Sequence, residues 1–207
     1  MTAVSEPDQD EAAAGSGDPG YAYKPSLIGA PCLFALKPDA LHWQIAGRMG
    51  RVRYDRVRAV RLSFRPVTMQ SHRFVTEIWS ADNPKIQIAS ASWRSPVEQQ
   101  RLDAPYKAFV TELHRRLAAA GSTAKFSAGM PAVIYWLGAA VFAALMLAMG
   151  VLLVHAVWLK EWTGAAIVAL FLVVFVLQLG NFFRRNRPAR YRPDAIPAAV
   201  LPRAPPN

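Results

Sequence analysis

Arginine is the residue whose type and spacing in this chain best support chemistry. In the segment RVRYDRVRAVRLSFRP, Arg51, Arg53, Arg61 and Arg65 alternate with other side chains, and Arg48, Arg56 and Arg58 lie in the turns beside them. A guanidinium is a planar, weakly hydrated fork of donors that matches phosphate and carboxylate. If both stretches are neighbouring strands, the four arginines share one outward face that suits anionic lipid or an acidic partner. A second group, Arg184, Arg185, Arg187 and Arg190, follows a long apolar run at once and is the other candidate for headgroup contact.

Catalytic parts are sparse. His42, His72, His114 and His155 are scattered, and no HExxH, CxxC, GxSxG, P-loop or GxGxxG pattern occurs. Ser71 and His72 are adjacent, which does not make a nucleophile–base pair. Cys32 is the only cysteine, so no intrachain disulfide can form, and its apolar strand marks it as a core thiol. Acidic residues in the middle of the chain are few and dispersed. The expectation is a non-enzymatic protein with no catalytic residue, metal or cofactor. A polar pocket around His72 or Glu77 would revive an enzymatic reading. The basic balance permits nucleic acid, but the absence of a recognition helix disfavours it.

The charge is segregated along the chain. Residues 1–30 set Lys24 against five carboxylates, a net −4, whereas residues 31–129 carry +9 and the segment from Arg184 onward carries +5, within a total of +10. Between Met130 and Phe183 the only charges are Lys160 and Glu161. A bilayer demands this pattern, since charge in hydrocarbon costs about 2.5 kcal/mol or more per residue. The start of the chain lacks the basic and apolar stretches of a signal peptide, so targeting is expected from the later helices.

Several elements must position the arginines. Residues 1–28, rich in Ala, Gly, Ser, Asp and Glu, read as a disordered acidic tail. CLFAL and LHWQI read as strands around a Lys37-Pro38-Asp39-Ala40 turn, and Gly47 and Gly50 mark the next turn. The segments around Val52 and Val60, then HRFVTEIWS and KIQIASASW, supply more, giving five to seven short strands of an antiparallel sandwich or barrel. Ser95-Pro96-Val97-Glu98 has the form of a capping box. The helix it opens carries the apolar stripe Tyr106, Phe109, Val110, Leu113 and Leu117, an outer Glu112–Arg116 pair and Gly121 as its stop. The soluble domain is thus placed at 31–121. Residues 122–130 read as a polar linker, of which Ser122–Gly129 reaches at most about 28 Å.

Two apolar runs follow, 131–157 and 163–183, each edged by aromatic residues, and together they read as a two-helix transmembrane hairpin. The arginines after the second run place both termini in the cytoplasm and the short loop outside, in a multi-pass inner-membrane protein. Ala140, Ala144 and Ala148 form a small-residue row, explained either by pairing within the hairpin or by homo-oligomerisation. Gln178 is expected to bond across to the other helix. Residues 184–207 read as a basic, Pro-rich tail.

The strand–turn–strand opener Leu36 to Trp43, followed by Arg51-Val52-Arg53-Tyr54-Asp55-Arg56-Val57-Arg58-Ala59-Val60, resembles bacterial pleckstrin-homology-like (PH-like) domains. The likeness covers Pro31 to Gly121, and the whole layout resembles two-helix membrane proteins of alphaproteobacteria. It implies an α+β fold: a bent seven-strand antiparallel sandwich closed at one corner by a C-terminal helix. Eukaryotic relatives bind phosphoinositides between loops of the open end. This chain lacks the Lys-x(n)-Arg-x-Arg loop, so that specificity does not carry over. The expected function is a membrane-anchored binding or scaffold domain contacting membrane lipids or a protein partner. The alternative is an accessory or regulatory subunit of a larger membrane complex, with the alanine row and Pro-rich tail as contact surfaces.

Overall fold

A computed structural model of the chain describes residues 17–66, 72–95 and 98–202. The fold is α+β, with antiparallel sheets and three helices, and it divides into two units. One comprises the residues up to Ser127 together with those from Arg190 on; Ala128–Ala189 forms the other.

In the first unit, four strands form an antiparallel meander: β1 (Gly20–Tyr23), β2 (Cys32–Leu36), β3 (Ala40–Ile45) and β4 (Arg48–Arg53). Alternation decides the inward face, so Phe34, Leu41 and Val52 are buried while Arg51 and Arg53 point out. The β3–β4 loop is two residues long, and Ala46 and Gly47 both have positive φ, the backbone twist that tight hairpins need. Gly50 is a strand residue and does not mark a turn. It lies opposite Trp43, and a Cβ built on it would stand 2.5 Å from the indole ring. Tyr54 sits in a short 3-10 turn, Tyr54–Arg56, that leads out of this sheet.

The second sheet contains β5 (Val57–Pro66), β6 (His72–Ser80), β7 (Ile86–Ala89), β10 (Lys125–Ala128) and β11 (Ala189–Arg190), in the order β11-β10-β5-β6-β7. The core strip Val60, Leu62 and Phe64 pairs in register with Ile78, Thr76 and Phe74. A small hairpin of β8 (Ala91–Trp93) and β9 (Gln99–Arg101) precedes α1 (Asp103–Ala119).

Three sequence expectations change here. First, part of the stretch read as an acidic tail is structural. Tyr21 and Tyr23 on β1 are 4% and 5% exposed, and their hydroxyls donate to the carbonyls of Ala89 and Gln87 at 2.6 and 2.8 Å. Residues 1–16 lie outside the described residues. Second, Ser95 and Glu98 close a hairpin turn through reciprocal backbone hydrogen bonds and cap no helix. Pro96 and Val97 lie outside the described residues. The helix begins at Asp103, and Pro105 fits within its first turn, where no N–H is needed. Third, the linker contains β10, and the chain after the apolar helices returns to this unit.

The expected stripe on α1 is buried throughout, with Tyr106, Val110 and Leu117 fully enclosed. Tyr106 shares a 2.7 Å hydrogen bond with Thr76, and Phe109 packs against Tyr21 and Phe34. Gly121, at φ +62, stops the helix. Its N–H reaches Ala118 and that of Ser122 reaches Leu117, which satisfies the last carbonyls.

The second unit holds α2 (Ala132–Trp158) and α3 (Trp162–Arg185), both long and apolar enough to cross a membrane. Phe183 packs on Tyr135 and Phe142 at ring distances of 5.6 and 5.5 Å. The turn between the helices closes with Lys160 N–H on Val157 and Glu161 N–H on Ala156, and Lys160 takes the left-handed position at φ 60. At the other end, Met130 N–H donates to Asn186, and Gly129 at φ +80 lies against the carbonyls of Asn186 and Arg187.

Candidate functional site

The four domain arginines do not share a face. Arg51 and Arg53 belong to β4 in the first sheet, and Arg61 and Arg65 to β5 in the second. The 3-10 turn at Tyr54–Arg56 carries the chain from one sheet to the other, which periodicity within a single stretch does not reveal. Their charges are also differently engaged. Arg53 grips Asp55 with two hydrogen bonds of 3.1 and 3.0 Å. Arg65 and Lys85 each reach the same oxygen of Glu77 at 3.0 Å, and the Glu77 side chain is only 5% exposed. Arg61 lies over the Trp79 ring, 5.2 Å from its centroid. Arg51 is exposed and, among the described residues, has no carboxylate or ring partner.

Of the arginines at and beyond the end of α3, Arg184 donates to Asn181 at 3.2 Å and Arg185 is half-buried, both in its last turn, and Arg187 and Arg190 are exposed. The arginines at the end of α3 also complement the partial negative charge of its last carbonyls.

The helix-packing residues stand elsewhere than expected. Ala140, Ala144 and Ala148 are exposed, as is Gln178. The less exposed residues of α2 include instead Tyr135, Gly138, Phe142, Met146 and Leu153, the row that includes the contacts to Phe183. Pairing of α2 with α3 therefore does not account for the alanine row, and Gln178 makes no bond across. The row lies off the less exposed face of α2, which composition alone cannot distinguish.

The constellation that sequence reasoning missed is aromatic. His114 lies on α1 beside Leu113, fully buried. Its Nδ1–H donates to the Val110 carbonyl at 2.7 Å, which leaves Nε2 to accept the Tyr191 hydroxyl at 2.9 Å. Phe126 on β10 closes the group, 5.5 Å from the imidazole and 5.8 Å from the Tyr191 ring. Burial holds the His114 pKa down at about 4 and pushes the Tyr191 phenol up. The imidazole is therefore neutral, with its proton on Nδ1. The Tyr191 N–H also donates to Phe126 O at 3.3 Å, and further on Val200 is 1% exposed in a 3-10 turn, Ala198–Val200, that lies against β5. From Arg190 through Pro202 the Pro-rich tail is thus part of the first unit; residues 203–207 lie outside the described residues. The signal was a lone tyrosine between arginines, 77 residues from its partner.

Cys32 is buried and its thiol pKa is raised by that burial, the environment of an inert core residue. Among the described residues, no three His, Cys, Asp or Glu side chains are grouped to hold a metal. Ser71 lies outside the described residues. Glu112 sits well below the usual carboxylate range, at about 2, because Arg115 and then Arg116 donate to it. Arg116 also reaches the Leu36 carbonyl at 2.9 Å, so this pair ties α1 to β2. Comparison with family models, with curated proteins and with solved structures finds no match to the chain.

Proposed function

We propose that the chain is a non-enzymatic integral membrane protein. In this reading α2 and α3 cross the inner membrane as a hairpin with both chain ends in the cytoplasm, and the PH-like domain is a binding or scaffold module that contacts anionic lipid or a protein partner. One observation carries the membrane assignment. The most apolar stretch of each helix contains no residue buried within the chain. Side chains from Val133, 81% exposed, to Leu177, 69% exposed, lie open along both helices. Hydration of each large apolar side chain forgoes about 1.5–3 kcal/mol relative to burial, so lipid tails are the solvent that suits this surface. At about 1.5 Å per residue, both helices exceed the hydrocarbon thickness of about 30 Å.

The PH-like assignment is supported by element order: a four-strand meander, then the β5-β6-β7 meander, then a helix with a buried apolar stripe. The β8–β9 hairpin is an insertion relative to that plan. Ultracentrifugation of the full-length chain without detergent tests the membrane assignment: pelleting is expected, and recovery in the supernatant would overturn it.

The accessory-subunit reading is favoured by the exposed Ala140, Ala144 and Ala148 row, a surface on which another helix could approach closely. A mild-detergent pull-down distinguishes the two readings. A stoichiometric membrane partner supports the subunit reading, and a lone monomer argues against it.

A further inference from the structure

A basic cleft lies beside the aromatic group, entirely within the first unit. Its volume is about 420 Å³ and it is open to solvent. Ser122, Thr123, Ala124, Lys125 and Phe126 form one wall, and Arg190, Tyr191, Arg192 and Pro193 the other. No carboxylate is among these lining residues. Lys125 and Arg190 pair with no acidic side chain among the described residues. Arg192 meets Asp194 at 3.3 Å, but both groups are largely exposed, and an exposed pair of this kind is worth little. The Ser122 hydroxyl accepts the Ala124 N–H at 3.4 Å and keeps its own proton to donate. The walls are held in register by the Tyr191–Phe126 backbone hydrogen bond and by the Tyr191–His114 contact. Three cations and two hydroxyls around one concavity that contains no acid form a receptor for a phosphate group.

We propose that this cleft binds the phosphate of an anionic phospholipid headgroup, held by Lys125, Arg190 and Arg192 with the hydroxyls of Ser122 and Thr123. The assignment of a lipid rests on the membrane reading above. Chain connectivity favours it: Lys125 precedes Ala132, the first residue of α2, and Arg190 follows Arg185, the last of α3, by at most about 25 Å of extended chain. The cleft differs from the β4 and β5 arginines, which the fold divides between two sheets and of which Arg53 and Arg65 are held by carboxylates.

The test uses the full-length chain in a mild non-ionic detergent, with phosphatidylglycerol, phosphatidylcholine and inorganic phosphate as probes and native mass spectrometry as the readout. The wild type is expected to bind phosphatidylglycerol at least tenfold more tightly than phosphatidylcholine. The variant K125A/R190A/R192A is expected to lose that preference, and the charge-matched R48A/R58A/K107A, at exposed positions away from the cleft, to keep it. Equal loss in both variants, or an intact preference in the first, overturns the cleft. Binding of inorganic phosphate as tight as that of phosphatidylglycerol overturns the lipid source. Sedimentation of the same variants without detergent reads the membrane assignment separately, so each idea can fail alone. Should the triple variant lose cooperative unfolding, Lys125→Gln and Arg190→Gln are read singly against the same expectation.

Discussion

Tyr191 donates its phenolic proton to Nε2 of His114 at 2.9 Å, closing a stretch of chain that contains both apolar helices. The imidazole is neutral in the fold because burial lowers its pKa to about 4, against about 6.5 when unfolded. Between those values the unfolded chain binds a proton that the folded chain refuses. The associated stability is complete above pH 6.5 and is lost as pH falls toward 4. Acidification from pH 7 to 4.5 is expected to cost roughly 2 kcal/mol at this site. Unfolding of the full chain in detergent at both values checks it, with His114→Gln as the control. An equally steep acid loss in that variant would refute the assignment. Tyr191→Phe, which leaves Nε2 without its donor, is expected to cost about 1 kcal/mol at neutral pH.

The packing of β1 predicts that the segment around Tyr21 is essential to the domain. Tyr21→Phe removes only the buried hydrogen bond to Ala89 and is expected to cost about 1–2 kcal/mol. Tyr21→Ala also empties the contacts to Tyr106 and Phe109, and about 3–5 kcal/mol is expected. Chemical denaturation measures both. Two near-neutral variants would mean that β1 does not belong to the core.

Gly129 and Gly150 form a matched pair. A Cβ on Gly129 would stand 2.5 Å from the carbonyl oxygens of Asn186 and Arg187, and its φ of +80 adds strain. Gly129→Ala is expected to destabilise by about 1–3 kcal/mol. Gly150, inside α2, has nothing within 4 Å of its built Cβ, so Gly150→Ala is expected to be neutral or slightly stabilising. Thermal unfolding in detergent gives the ranking, and a reversed order would contradict the backbone contact at Gly129.

Lys160 occupies the left-handed position that ends α2, where a side chain is strained and glycine is not. Lys160→Gly is expected to raise stability by about 0.5–1 kcal/mol. A lowered unfolding temperature in detergent would show that the lysine side chain matters more than its backbone.

The proposed orientation places the turn after α2 outside the cytoplasm. In a Cys32→Ser background, Glu161→Cys is expected to react with an impermeant maleimide added to intact cells. Labelling only after access from the cytoplasmic side would reverse the orientation.

Much of the secondary structure was legible because periodicity reports it directly. Leu41 and Ile45 marked a strand, and the stripe from Tyr106 to Leu117 marked a helix. What escaped were relations set by chain direction and distance. Gly50 sits in a strand because Trp43 covers it, a cross-strand contact that no local rule announces. Arg53 and Arg61 looked like neighbours because the strand pattern resumes after a short interruption, yet the turn at Tyr54 moves them into separate sheets. Tyr191 and Tyr21 were hidden in polar, low-complexity surroundings, and only the fold shows that each finds an apolar neighbourhood. The cleft walls come from residues more than sixty positions apart, so its cationic grouping could not be read locally.

The two tyrosines of β1 have a consequence for self-association. β7 is the last strand of its sheet, and the phenolic oxygens of Tyr21 and Tyr23 occupy carbonyls at Ala89 and Gln87 that another strand would otherwise use. A border blunted in this way offers a poor template for fibril-like growth, even where many copies crowd together. Loss of β1 would unmask that border, so a proteolytic nick near the start of the domain is expected to favour aggregation.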